Sequence, residues 1–259
     1  RSAGFDRINL SETKKRGIII SSVLSQRNTV AEHTFGLILT LSRKIYPAIA
    51  RTKKGDFSLE GLEGFDLQGK TFGIIGLGSI GLAVARIAKN FNLKILVYDI
   101  RKDQELAQKL NFRYVSFEDL LKSSDIITLH IPLNKQTYHL INKRNIKLVK
   151  KGAYLINTSR GEVVETGALL EALKGNKLAG AGLDVLEKED VLKEKKAKRF
   201  LTKDDLKIFR ENQSLIRLDN VIITPHNAFY SQERLKEVLE TTVSNIRLFV
   251  KGRYQNVVR

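Results

Sequence analysis

The chain has 259 residues, 42% of them hydrophobic and 28% charged. That length suits one large domain or two ordinary ones, and the composition is that of a globular chain with enough apolar surface for a core. It excludes a collagen-like repeat, an intrinsically disordered chain and a disulfide scaffold. Cysteine is absent, so disulfides, thiolate metal ligands and a cysteine nucleophile are excluded as well. Methionine is also absent and the chain opens Arg1-Ser2-Ala3-Gly4, which reads as a sequence whose start has been cut away or as an internal fragment.

The most apolar long stretch, Val30 to Ile45, is interrupted by Glu32, His33, Arg43 and Lys44 and is too short to span a bilayer. No secretory apolar segment is visible, so a cytoplasmic location without a membrane partner is expected. Forty-five basic residues against 28 acidic ones give +17. Lys143, Arg144, Lys147, Lys150 and Lys151 form an acid-free run, while Lys193 to Arg210 is interleaved with Glu194, Asp204 and Asp205. Neither run carries an aromatic ladder for base stacking. Both read as solvated helix faces rather than a nucleic-acid site, although the excess charge would steer an anionic substrate.

In chain order, the first element is a long helix over Val30 to Ala50. It is apolar on more than one face through Phe35, Leu37, Ile38, Leu41 and Ile45, and so is expected to be buried in the protein or against a second subunit. From Lys70 onward short apolar runs alternate with helical patterns. Thr71 to Ile75 reads as a buried strand, and Ile80, Val84, Ile87, Ala88 and Phe91 follow at helical spacing. Lys94 to Tyr98 is a second strand. Short helices are expected around Ala107 and Leu110 and over Phe117 to Lys122. Further strands are expected at Asp125 to Ile131, Ala153 to Asn157, Ala179 to Val185 and Val221 to Thr224. Lys193 to Lys207 reads as a flexible insertion, and Ser231 to Val250 as an amphipathic helix built on Leu235, Val238, Leu239, Val243, Ile246 and Phe249. Strands separated by helices imply an α/β fold with a parallel, doubly wound sheet.

Gly76-Leu77-Gly78-Ser79-Ile80-Gly81 joins the first of these strands to its helix. In that context the glycine pattern is a dinucleotide fingerprint. Gly76 permits the tight turn, Gly78 lets the backbone approach a pyrophosphate, and Gly81 packs the helix on the strand. The helix N-terminus then faces the anion. Asp99, at the end of the second strand, can accept the ribose hydroxyls and favours NAD over NADP, while Arg101 and Lys102 pull the other way.

Six segments, in order, resemble a known family, the D-isomer-specific 2-hydroxyacid dehydrogenases, and are most similar to its D-lactate dehydrogenase branch. They are Asn28-Thr29-Val30-Ala31-Glu32-His33, the Gly76 loop, Leu129-His130-Ile131-Pro132-Leu133, Asn157-Thr158-Ser159-Arg160-Gly161, Gly182-Leu183-Asp184-Val185, and Thr224-Pro225-His226-Asn227-Ala228-Phe229-Tyr230. The resemblance implies a Rossmann-type NAD-binding domain over 28–228. It also implies remnants of a flavodoxin-like substrate domain at 1–27, with its N-terminal part missing, and a C-terminal helix over 229–259 returning to that domain. Ser2 to Asp6 resembles the end of the stretch that builds most of the substrate domain. The segment Ser21 to Ser25 lacks the family's usual proline.

The implied activity is reversible, NAD-dependent reduction of a small 2-oxo acid, pyruvate first, to the D-2-hydroxy acid. Arg160 would hold the carboxylate and carbonyl, and its planar fork suits that role. His226 would deliver the proton, and a carboxylate beside it would hold the ring and favour its charged form. Glu187 and Glu189 compete for that place. The family's acid lies five residues after the aspartate matched by Asp184, which points to Glu189 and leaves Glu187 as the fallback. The resemblance carries Ser79 and Ile80 to the pyrophosphate, Ile131 and Pro132 to the adenosine side with Thr137 near the loop, Thr158 and Ser159 to the nicotinamide ribose, and Asp184 to the carboxamide, and it counts Arg160 among the cofactor contacts as well. His130 reads as structural. Phe229 and Tyr230 either wall the substrate pocket or pack in the core. No metal is expected, and the Val30 to Ala50 helix resembles the family's dimer helix, so a homodimer is expected. The competing readings are another 2-oxo acid (branched, glyoxylate or phosphoglycerate) and a non-catalytic NAD-sensing binding protein. The long spacing from Glu189 to His226 favours the D-lactate branch over the phosphoglycerate branch.

Overall fold

The structure is a computed structural model that describes residues 8–23, 27–193 and 202–258. Its helices and strands run in the order α1 (Leu10–Lys15), α2 (Arg27–Ser42), α3 (Ile45–Thr52), β1 (Thr71–Ile75), α4 (Ser79–Asn90), β2 (Lys94–Tyr98), α5 (Gln104–Leu110), β3 (Phe112–Tyr114), α6 (Phe117–Ser123) and β4 (Ile126–Leu129). The second half continues through β5 (Ala153–Asn157), α7 (Thr166–Lys174), β6 (Leu178–Leu183), α8 (Glu189–Lys193), α9 (Lys203–Ile216), β7 (Val221–Ile223) and α10 (Gln232–Val250). The strands form one sheet in the order β3-β2-β1-β4-β5-β6-β7, and every neighbouring pair is parallel. This is the α/β Rossmann-type architecture. No helix among the described residues is long and apolar enough to cross a membrane.

The strand sequences explain the layering. Ile126-Ile127-Thr128-Leu129 is buried at all four positions, with no alternation, because helices cover both faces of the sheet. On one face Ile75, Leu129 and Leu155 pack with Leu120, Leu169 and Leu173. On the other, Phe72, Ile95 and Ile156 pack with Phe35, Ile38 and Val84. Phe35 stacks on Phe91 at 5.2 Å between ring centroids, which locks α2 to α4.

The helix expected over 30–50 is two helices. α2 ends at Ser42, Lys44 takes a left-handed φ of 52°, and α3 begins at Ile45. Pro47 gives the reason. In an unbroken helix it could not donate to the carbonyl of Arg43, and its ring would strike that carbonyl; in the first turn of a new helix it is tolerated. The returning chain uses the break, since Phe65 N–H bonds Ser42 O at 2.8 Å. α2 is buried through Ala31, Phe35, Leu37, Ile38 and Leu41, whereas α3 buries no residue and exposes Tyr46 and Ile49.

Other differences are local. β6 ends at Leu183 rather than Val185, because Asp184 turns out of the sheet to bond the chain after β7. Of the insertion expected over 193–207, residues 194–201 lie outside the described residues. Lys203 to Lys207 open α9, where Thr202 and Asp205 form a reciprocal capping box. α1, β3 and α7 carry no sequence expectation. At the other end of the molecule, Ser21 pairs with Val257 as an antiparallel bridge, and Val258 N–H bonds Ile20 O at 2.9 Å.

Candidate active site

Strand order reverses between β1 and β4, and ligands of such sheets bind outside the carboxyl ends at that point. The glycine loop lies there. Gly76 has φ 91°, and a Cβ on it would come within 2.5 Å of Ile131 Cγ2 and 2.6 Å of His130 O. A Cβ on Gly81 would overlap Gly76 O, so the loop closes on itself only with glycine at both places. Gly78 differs: it is exposed, and a Cβ there would meet nothing within 4 Å. The protein's own packing therefore leaves open the space beside this residue. The N-terminus of α4, capped by Gly78, has no side-chain partner for its first-turn N–H groups.

Asp99 supports the loop from the end of β2. Its Oδ2 accepts Leu77 N–H at 2.6 Å and its Oδ1 accepts Arg101 N–H at 2.8 Å. Each carboxylate oxygen has a second acceptor position, so a ribose diol can still bond it. The open glycine cradle, the uncapped helix end and the carboxylate fit a dinucleotide. Ser79 is exposed and Ile80 half-buried at the start of α4. Ile131 backs the Gly76 turn, and exposed Pro132 follows it. Thr137 Oγ1 donates to Pro132 O at 2.6 Å and accepts Asn134 N–H at 2.8 Å, so it shapes the loop after β4. His130 Nε2 is buried without a hydrogen-bond partner among the described residues, and burial pushes the ring's pKa down to about 3. That ring is neutral at neutral pH.

The remaining predicted residues sit at the carboxyl ends of the three neighbouring strands β5, β6 and β7. After β5, Asn157 Oδ1 accepts both the N–H (3.0 Å) and the hydroxyl (2.8 Å) of Ser159, and Asn157 Nδ2 donates to Arg160 O at 2.8 Å. This turn places Arg160 at the rim, half-buried, with Nη1 donating to Ser159 O at 2.8 Å. Thr158 is turned inward, and its hydroxyl lies 2.9 Å from that of Thr34 on α2.

After β6, buried Asp184 grips the chain that follows β7. Its Oδ1 accepts the Thr224 hydroxyl at 2.5 Å and Asn227 N–H at 2.9 Å, and its Oδ2 accepts Ala228 N–H at 2.9 Å. Burial pushes the Asp184 carboxyl up, but bonds from His33, Thr224, Ala228 and Asn227 together outweigh it and hold its pKa below the usual range. His33 Nε2, on α2, lies 3.0 Å from Thr224 Oγ1 and 3.5 Å from Asp184 Oδ1. Between the gripped residues, His226 takes a left-handed φ of 57°.

His226 Nδ1 lies 2.5 Å from Glu189 Oε1. Glu187 goes elsewhere: its Oε1 is 2.8 Å from His139 Nε2. The structure thus brings Glu189, not Glu187, to His226. Phe229 stands edge-on to the His226 ring, with centroids 6.2 Å apart. Phe229 and Tyr230 are exposed at 45% and 64%, so neither packs in the core. Among the described residues no three His, Asp or Glu side chains gather as a metal site. Sequence reasoning gave no role to His33, Thr34, Asn157, Thr224 or His139. His33, Asn157 and Thr224 lie inside quoted motifs, which is the signal that was available; Thr34 directly follows one, and His139 lies in none.

The fold and this rim define a dinucleotide-dependent oxidoreductase. The family described as D-isomer specific 2-hydroxyacid dehydrogenase, NAD binding domain, matches residues 35–228. The D-lactate dehydrogenase of Escherichia coli K12 is 39% identical, covering 97% of this chain and 75% of that protein. A glyoxylate reductase of Thermococcus litoralis is 38% identical, covering 97% of this chain and 72% of that protein. The crystal structure of Aquifex aeolicus D-lactate dehydrogenase complexed with NAD and lactic acid superposes with a TM-score of 0.89 at 42% identity, covering 97% of this chain and 75% of that one. The chain belongs to the D-isomer-specific 2-hydroxyacid dehydrogenases, which are NAD-dependent oxidoreductases.

Proposed function

We propose that the protein reduces a small 2-oxo acid, pyruvate by preference, to the D-2-hydroxy acid. The observation that carries this reading is the His226–Glu189 contact at the rim shared with Arg160. NADH, when bound, supplies the hydride for the carbonyl carbon. Arg160 binds the substrate carboxylate and polarises the carbonyl through its planar donors. His226 donates the proton from Nε2 to the carbonyl oxygen. Glu189 accepts at Nδ1, fixes the tautomer and balances the charge of the protonated ring. Gly78 and the first turn of α4 take the pyrophosphate, Asp99 the adenosine ribose, and Thr158, Ser159 and Asp184 line the nicotinamide end.

Pyruvate is placed first on the similarity to two D-lactate dehydrogenases, although the relative from Thermococcus litoralis carries the name glyoxylate reductase; the long Glu189–His226 spacing speaks for the D-lactate branch over the phosphoglycerate branch. NADH oxidation across pyruvate, glyoxylate, hydroxypyruvate and a branched 2-oxo acid tests it. The highest kcat/KM is expected with pyruvate. A glyoxylate preference would correct the substrate, and inactivity with all four would refute the reaction.

The same reading assigns 28–228 to the NAD domain and the paired segments around Ser21 and Val257 to the substrate domain. It also makes the protein a homodimer. Tyr46 and Ile49 of α3 and Phe57 and Leu59 just after it are exposed apolar side chains that a second copy would cover. Sedimentation as a dimer is expected, and sedimentation as a monomer at micromolar concentration would contradict it. We place the enzyme in the cytoplasm, where its nucleotide cofactor is available.

A further inference from the structure

Glu187 takes no part in the reaction proposed above, yet its carboxylate is 2% exposed. A buried charge is costly unless it is fully partnered, and this one is. Oε1 lies 2.8 Å from His139 Nε2, and Oε2 accepts the Thr166 N–H at 3.2 Å and the Thr166 hydroxyl at 2.7 Å. The backbone carbonyl of Glu187 accepts Asn212 Nδ2 at 2.9 Å. His139 is fixed in turn. It has φ 48°, donates its N–H to Glu162 O at 2.8 Å, and stacks on Tyr138 with ring centroids 4.0 Å apart.

The turn 186–189 joins this anchor to the reacting groups in two directions. Along the chain, Lys188 takes a left-handed φ of 54° and its Nζ bonds Asp205 at 2.5 Å, while Glu189 N–H bonds Leu186 O at 3.2 Å. Glu189 is therefore aimed by the position of Glu187. Across the rim, Gly161 sits so close that a Cβ on it would overlap the carbonyl of Leu186 and the nitrogen of Glu187. Arg160 is bonded to that glycine, so any shift of the turn shifts the arginine.

We propose that His139 and Glu187 form a positioning pair which, by anchoring the turn 186–189, sets Glu189 against His226 and Arg160 against the substrate. The proposal rests on the reading of Arg160, Glu189 and His226 as the reacting set. Neither His139 nor Glu187 touches substrate or cofactor in it. The carboxylate that keeps His226 in place is itself kept in place by a second, buried histidine–glutamate contact on the far side of one turn.

The test uses E187Q, H139N and H139Q beside E189Q in the protein. Asparagine tolerates the left-handed backbone but is too short to reach Glu187, so H139N breaks the pair at a partly exposed position even where E187Q fails to fold. Glutamine at 139 extends far enough to donate to the same oxygen. With only four histidines, nitrogen-15 histidine spectra resolve the imidazole N–H signals without turnover, and E189Q identifies the signal of His226 by removing it. In E187Q and H139N that signal is expected to broaden or vanish, with kcat reduced roughly tenfold to a hundredfold. NADH Kd is expected to stay within about twofold, since the glycine loop is untouched. H139Q is expected to restore both signal and kcat. An unchanged His226 signal and unchanged kcat in E187Q and H139N, whatever happens to the melting temperature, would overturn the proposal while E189Q is still impaired. An unimpaired E189Q would overturn the reaction assignment, and this proposal with it.

Discussion

Replacing His226 with glutamine lowers kcat by roughly 10³-fold while NADH Kd stays within about twofold; general acid catalysis by one side chain is typically worth 10²–10⁴. Glutamine can still donate to Glu189, so the contact that holds the side chain survives in kind, but an amide has no proton to give at neutral pH. The backbone has no reason to move. Asp184, at the end of β6, holds Asn227 N–H and Ala228 N–H of the chain after β7, and the left-handed φ at 226 is a strain that the native histidine already bears. NADH titration by fluorescence and steady-state kinetics separate the two effects. Equal losses in binding and turnover would show instead that His226 is part of the cofactor site's scaffold.

Much of this arrangement was legible from the chain because buried parallel strands have little freedom. Thr71–Ile75 and Lys94–Tyr98 match their apolar runs, and the glycine loop that follows the first of them carries a short-range pattern: Gly81 answers to the carbonyl of Gly76 five residues earlier, although Gly76 itself is packed against His130 and Ile131 after β4. Long-range choices were harder. Glu187 and Glu189 are two residues apart and chemically alike. What separates them is the left-handed turn at Lys188 and the arrival of His139 from the loop after β4, which no local pattern encodes. His33 and Thr34 look like ordinary helix positions. They reach Thr224 and Thr158 only because α2 packs across the sheet beside β6 and β7. The break at Pro47 was written in the sequence, but a count of apolar positions passes over a missing N–H. In α9 the many charges hid a helix that its Thr202–Asp205 cap announced.

The other large effect is expected at Arg160, where lysine preserves the charge and removes the fork. The turn that carries it does not depend on the side chain: Asn157 holds Ser159 and the Arg160 carbonyl, and Gly161 is seated against the peptide between Leu186 and Glu187. A lysine at 160 therefore stands at the same place on the rim, with one compact ammonium group where two parallel donors had been. A carboxylate and a neighbouring carbonyl presented in one plane can be bonded together by a guanidinium; an ammonium reaches one of them at a time. Charge accumulates on the carbonyl oxygen as hydride arrives, so the lost donor is felt more in the transition state than in the bound substrate. Removing one such donor from a preorganised site costs roughly 10²–10³ in kcat, and with weaker substrate binding kcat/KM for pyruvate should fall by roughly 10³-fold or more. NADH Kd should change by less than about threefold, because the loop at Gly76–Gly81 and Asp99 lies on the other side of β4. Charge alone would be shown to suffice if R160K kept its kcat while only KM rose, and Arg160 would then be a carboxylate anchor that leaves the carbonyl to His226.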